Sequence, residues 1–385
     1  MAGKEQVPPE ASAWRELCER MATLGERLLD PSFPTDPLDR TAGFAHLTEQ
    51  LMCWLEWSVF HGDPRRPFFQ RQNDLITQWG GPNADNVYRH TRVEPGRRYR
   101  IRGRMYSCDD FILAVRAGFM HQPKWGTIFQ VSASDLGLGP GDEIDLIAGE
   151  GGQIALPEDA VMISIREYYF DWRAEQPALF TIECLDDDVV EPLARRGGDE
   201  LAAQLREVAS AVEISLDYWN TYMKERRSTQ PDNTFTAPLK LDKGLDAARY
   251  LHCIWDLDPD DALVVDCDVP DARYWSWQLY QLGWFDLVDP VERTTSLNHT
   301  DAVVDADGRV RVVVAHRDPG VANWLDTGGR REGLLMLRWF WPRGADPAPV
   351  TRVVPLSELS GPVTPDDRAD VLRRRRSHLA WRFRT

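Results

Sequence analysis

The sequence predicts a mostly β protein, α+β overall. It has two duplicated antiparallel β-sandwich or jelly-roll-like domains, a helical N-terminal segment, a long connecting helix and a short C-terminal helix. Three observations predict this. The apolar period changes from helical to alternating near residue 80, and again near residue 236. Residues 163–179 overlie residues 335–351 without a gap. A length of 385 residues exceeds what one simple core fills, so two or three domains are expected.

Residues 1–65 read as helical. Trp14, Leu17, Met21, Leu24 and Leu28 recur at spacings of three and four, which puts them on one helix face. AGFAHLTEQLMCWLEWSVFH at 42–61 repeats the pattern after a break at Pro31, Pro34 and Pro37. Residues 66–185 read as the first β domain. VYRHTRVEPGRRYRIRGRMYS alternates large and charged residues around Pro95-Gly96, a strand–turn–strand signature, and FILAVRAG, DEIDLIAG and AVMISIREYYF continue it. Residues 186–235 form a connecting helix and linker, with Leu201, Leu205, Val208, Val212, Leu216 and Trp219 on the apolar face. Residues 236–360 form the second β domain, in which Asp307-Gly308 marks a hairpin turn. Residues 361–385 are a basic helix carrying Arg373–Arg376.

The self-match is the most informative feature. Arg166 falls on Arg338, Tyr168 on Phe340 and Pro177 on Pro349, all at an offset of 172. Upstream, Tyr88–His90 resembles Tyr250–His252 at an offset of 162, and loops absorb the difference. A repeat with several strands per copy describes a duplicated β domain, not a solenoid of short units. Two such copies must meet somewhere, and interfaces between domains often hold ligands.

Composition narrows the function. A formal net charge of −16 gives nothing to counterion release, so nucleic acid is not an expected partner. The Arg373–Arg376 run reads as a basic helix end paired with the acidic body, and alternatively as a docking strip for a polyanion. Six cysteines without a CxxC pair read as reduced thiols. The N-terminal stretch lacks a signal-peptide core, and no run is long and apolar enough to span a membrane, so the expected location is cytoplasmic. The eight histidines are dispersed, and no dinucleotide, phosphate-loop, zinc-protease or hydrolase motif occurs, so neither a metal nor a cofactor is expected. Fifteen tryptophans suit sandwich cores first and ligand-stacking walls second. If exposed, they would favour a homo-oligomer.

YWSWQLYQLGW, SLNH, DADGRVRVVVAHRDPGVANWLDTGG and LRWFWP together resemble the bacterial domain-of-unknown-function family 1214 over about residues 245–356. The motif residues are Trp275/Ser276, Asp307-Gly308, Pro319 to Leu325, and Arg338. GPNADNVY at 81–88 and Asp171-Trp172 extend the resemblance weakly into the first copy, which is also similar to the companion family 1254. Asp326 stands where many members have proline. The resemblance implies two β-sandwich or jelly-roll-like domains with appended helices, and no agreed mechanism.

The richest polar concentration is SLNHTD at 296–301 with AHRDPGVANWLD at 315–326. His299 and His316 with Asp318 are the candidate acid–base residues, because a histidine beside a carboxylate exchanges protons near neutral pH. Arg317, Asn323 and Arg338 are candidates to orient an anionic group, and Trp275, Trp277, Trp284 and Trp324 to wall an apolar or planar ligand. The same loop also reads as an ordinary Asp-Pro-Gly turn whose polar side chains satisfy its own backbone. Trp275 and Trp277 share one strand face, which favours a core role. Arg166 and Arg338 read as loop anchors, and His90 and His252 as hydrogen-bonded strand residues. Asp171, Glu175 and Asp346 add carboxylates near strand ends. Two functions fit: an enzyme (lyase, hydrolase or isomerase) acting on an aromatic or isoprenoid-like substrate, or a non-catalytic protein binding a carbohydrate or hydrophobic ligand.

Overall fold

Proline and aspartate start the helical segment. Pro9 opens α1 (Pro9–Arg27), and Asp36 caps α2 (Pro37–Leu55) by accepting the Leu38 N–H at 2.8 Å. The computed structural model describes residues 7–60, 62–72, 74–172, 176–186 and 196–382, so His61 and Glu175 lie outside the described residues. The buried stripe of α1 is Ala13, Leu17, Leu24 and Leu28. Trp14 is instead 58% exposed, a correction to the expected stripe. It lies one residue off the line that faces α3 (Gly198–Ser228), and Arg206–Glu16 and Arg27–Asp217 ion pairs flank that line.

Seven strands follow α2: β1 (Asn86–Arg92), β2 (Tyr99–Arg104), β3 (Asp110–Arg116), β4 (Thr127–Ser132), β5 (Glu143–Ala148), β6 (Met162–Tyr168) and β7 (Leu179–Cys184). They form two sheets, ordered β1-β6-β3-β4 and β5-β2-β7. After α3 come β8 (Ala248–Asp256), β9 (Asp261–Asp268), β10 (Ala272–Tyr280), β11 (Ser296–Asn298), β12 (Arg309–Ala315), β13 (Trp324–Asp326), β14 (Glu332–Pro342) and β15 (Val350–Pro355). These also form two sheets, β8-β14-β10-β11 and β13-β12-β9-β15. Strand for strand, the second order repeats the first, with β13 added at one edge. Register repeats as well. Tyr88 stands opposite Arg166, and Tyr250 opposite Arg338. Helix α4 (Pro365–Arg382) closes the chain.

Each sheet pair encloses its own core. Val87, Ile101, Phe111, Leu113, Ile163 and Ile165 fill the first, and Trp255, Val265, Trp275, Trp277, Val312 and Trp339 fill the second. The four sheets stack as layers because the β1 and β8 sheets turn their remaining faces toward each other. Tyr168, Tyr274 and Phe340 meet there with ring centroids 5.3 to 6.0 Å apart. Burying one such ring contributes about 1.5–3 kcal/mol. Strands of these inner sheets are therefore buried on both faces, as in β1, β3 and β14. The outer sheets alternate, and they carry solvent-facing ion pairs such as Arg100–Asp145 and Arg311–Asp266. Exposed pairs of that kind contribute about 1 kcal/mol at most.

Candidate functional site

Strand alternation sends Tyr88, His90, Arg116 and Arg166 outward from the first sandwich, and Tyr250, His252 and Arg338 outward from the second. Both sets line one cavity of about 100 Å³ between the inner sheets. Trp219 and Tyr222 of α3, with Phe119, Phe285 and Leu245 from loops, complete its apolar wall. Gly80 and Gly81 make the close approach on one side. Both have φ of +67°, and a Cβ there would lie 2.6 Å from the Trp219 ring and 2.5 Å from that of Phe285. Only glycine meets both conditions.

The two repeats hold their arginines in the same way at first. Arg166 stacks on Tyr88 at 5.5 Å, and Arg338 on Tyr250 at 5.7 Å. Beyond that they differ. Arg338 is 3% exposed and donates from Nη2 to the Gly81 carbonyl at 2.8 Å and the Tyr280 hydroxyl at 2.6 Å. The Tyr280 hydroxyl lies 2.7 Å from the Pro82 carbonyl and 2.9 Å from Gln278 Oε1, two acceptors for its one proton, and Gln278 Nε2 donates to Asn83 Oδ1 at 2.5 Å. The Tyr274 hydroxyl donates its one proton to Asp85 Oδ2 at 2.6 Å and lies 2.9 Å from Asn83 Oδ1, so the line of polar side chains ends on a buried carboxylate. In the first repeat, register places Arg116 where Tyr280 stands in the second. Arg116 has another cation, Arg166, for a neighbour, and together with burial this lowers its pKa to about 9.

Among the described residues, Arg116, Arg166 and Arg338 form no ion pair with a carboxylate, and the buried Nε atoms of Arg116 and Arg338 have no hydrogen-bond partner. The Nδ1 atoms of His90 and His252 are likewise unpartnered. Burial, reinforced by the neighbouring arginines, pushes both histidines down to about 3, so both are neutral at pH 7. A neutral imidazole donates one hydrogen bond and accepts another. The cavity is thus cationic, donor-rich and apolar-walled, with no carboxylate among its lining residues.

Of the candidate site residues, Arg338 lines this cavity, joined by Arg166, His90 and His252, which by sequence read as an anchor and strand residues; the other candidates lie elsewhere. Trp275 (4% exposed) and Trp277 (0%) fill the second sandwich core. Trp284 packs over Gly43, with Phe33 and His46 beside it, and donates to the Asp39 carbonyl at 3.0 Å. His316 and His299 sit in different places: His316 bonds Thr327 Oγ1 (2.9 Å) and the Leu257 carbonyl (3.2 Å), whereas His299 packs against Phe170 and Tyr274, burial lowering its pKa. Arg317 pairs with Asp260 on the surface, and Asp318 with Arg368. Asn323 holds Val303 and Arg311 backbone groups, and Trp324 donates to the Ala315 carbonyl. Asp326 pairs with Arg293. In the basic C-terminal run, Arg375 is buried on Ser296 and the Pro290 carbonyl, while Arg376 pairs with Glu292 and Arg373 with Asp370. No group of three or more metal-ligating side chains occurs, and no helix is long and apolar enough to cross a membrane, among the described residues.

Residues 257–344 match the family described as "Protein of unknown function (DUF1214)", the family whose motifs the sequence carries. The match lies within the second sandwich; the likeness to the companion family 1254 is not shown. No curated protein matches the chain. The crystal structure of an uncharacterised protein from Burkholderia cenocepacia is similar over 90% of this chain and 98% of its own, at 29% identity and a TM-score of 0.83. A protein from Vibrio parahaemolyticus aligns over 80% of this chain and 98% of its own, at 12% identity and a TM-score of 0.46.

Proposed function

We propose that this protein binds a small organic anion with an apolar, ring-sized body in the cavity between its two sandwiches. One observation carries the reading: three arginines converge on an apolar-walled cavity without a carboxylate to pair them. A buried charge left uncompensated is costly, and an anionic ligand removes that cost. Guanidinium groups grip oxyanions through two parallel N–H bonds, and the aromatic wall accepts the rest of the molecule. The space is of the order of the roughly 150 Å³ engineered cavity that takes up benzene.

The lining groups support holding rather than proton transfer. His90 and His252 are poor bases when held near 3, and the lining offers no carboxylate to tune them. The acid–base candidates His299, His316 and Asp318 lie outside the cavity lining.

Benzoate tests the proposal, read by calorimetry and by quenching of tryptophan fluorescence, since Trp219 is a wall residue. Saturable binding is expected, weakened at least tenfold in the Arg116→Gln/Arg166→Gln protein, whose circular dichroism should match that of the parent. Equal affinity in the double variant, or no saturation by millimolar benzoate, rejects the reading.

A further inference from the structure

We infer that the ligand is a dianion: it brings a second negative charge into the cavity, beyond the one that any simple carboxylate supplies. This rests on the anion-binding reading above and adds the charge the ligand must carry.

Positive charge in the cavity exceeds the negative charge near it. Arg116, Arg166 and Arg338 all line the cavity, and none is ion-paired among the described residues. The carboxylate that the polar chain Tyr280–Gln278–Asn83–Tyr274 reaches is that of Asp85. Assigning Asp85 wholly to Arg338 still leaves Arg116 and Arg166 without a counter-charge. The two histidines add no positive charge while they stay neutral. Two further cations only raise the total: Arg226 stacks on the wall residue Tyr222 at 5.1 Å, and Lys243 on the wall residue Trp125 at 5.5 Å. A monoanion would therefore leave one of these partly buried guanidinium groups uncompensated, whereas a dianion balances the pair.

Geometry supplies a second, independent line. The unpartnered atoms are distributed over both sandwiches: Nε of Arg116 and Nδ1 of His90 on one side, Nε of Arg338 and Nδ1 of His252 on the other. Arg338, His90 and His252 are 3%, 5% and 3% exposed, so these donors and acceptors are aimed into the cavity and not at bulk water. A ligand with charge at one end would satisfy one set and desolvate the other, at the cost of an unmade hydrogen bond. The two charges can sit on separate carboxylates or on one phosphate group; the shared chemistry is a doubly charged oxyanion on a ring-sized body.

Calorimetry at pH 7.5 with benzoate, isophthalate and phenyl phosphate, at fixed ionic strength, decides the matter. At least tenfold tighter binding of isophthalate, of phenyl phosphate, or of both is expected. Isophthalate alone would indicate two separated charges, and phenyl phosphate alone one doubly charged group. Lowering the pH to 5.5 protonates most of the phosphate monoester, whose second pKa is about 6, and should weaken its binding about fourfold while leaving isophthalate unchanged. Arg116→Gln, which removes one of the two uncompensated guanidinium groups, should bring the dianions to within threefold of benzoate; Arg166→Gln, at a half-buried position, gives the same reading should the first variant fold poorly. Arg116→Lys, which keeps the charge, should retain the preference. Benzoate binding as tightly as both dianions overturns the dianion inference and leaves the anion site standing. Binding of none of the three overturns both.

Discussion

The two sandwiches share strand order and register but treat their cavity-facing arginines differently. In the second, Tyr280 takes one side of Arg338, the Gly81 carbonyl takes another, and a chain of hydrogen bonds leads on to Asp85. In the first, the place of Tyr280 belongs to Arg116, so a second cation stands where the sister repeat puts a hydroxyl. One repeat therefore seats its arginine on a hydroxyl and a carbonyl, and the other sets two arginines side by side. Two positions equivalent in register thus differ by one residue, and the divergence concentrates positive charge on one wall.

Four experiments break or sharpen that comparison. Among the substitutions, the largest effect should come from Gly81→Val, which displaces the seat of Arg338. The positive φ resists a β-branched residue, and its Cβ would enter the Phe285 ring, so a loss of about 3–5 kcal/mol is expected in urea unfolding. A loss below about 1 kcal/mol would show that this loop yields.

Making the repeats alike is the next test. Arg116→Tyr should stabilise the unliganded protein by about 2 kcal/mol, since it replaces a buried unpaired cation, and should weaken benzoate at least tenfold. A destabilised variant with unchanged affinity would contradict the charge comparison.

Acid probes both sandwiches together. His90, His121 and His252 are each brought down from 6.5 to about 3 by burial, so the folded state binds fewer protons than the unfolded one in between. Stability is then full above about pH 6.5 and falls on acidification toward 3, by at most about 1.4 kcal/mol per unit for each histidine. His90→Gln and His252→Gln should flatten the slope equally; unfolding energies that stay constant from pH 6.5 to 4.5 would refute the burial of these rings.

The smallest effect is expected outside the cavity. His316→Ala should cost about 1 kcal/mol, from the hydrogen bonds to Thr327 and the Leu257 carbonyl, and leave benzoate affinity within twofold. A tenfold loss of affinity would tie the 315–326 loop to the binding site.

Much of this was legible in the sequence, and the reasons for the rest are local. The offsets of 162 and 172 paired Tyr88 with Tyr250, His90 with His252 and Arg166 with Arg338, and the strand registers pair them too. Their reading as strand anchors missed the cavity, because alternation along a strand tells which face a residue occupies and not what covers that face. Arg116 gave no signal at all: it ends FILAVR and has no arginine counterpart in the second copy. The loop at 315–326 stood out by its polarity, but Asn323 and Asp318 spend that polarity on nearby backbone and on Arg368. Trp14 misled because apolar spacing marks a helix face without saying how wide the neighbour is.

By itself the sequence determined the helices, the strands and the likeness of the two β units, since period, turn residues and self-similarity are properties of the chain alone. Only the tertiary structure decided that the two inner sheets face each other, and so that three arginines from distant strands share one enclosed space. Hydrophobic burial of Tyr168, Tyr274 and Phe340 draws the sheets together, and the charged residues beside them are carried into the gap where no carboxylate waits.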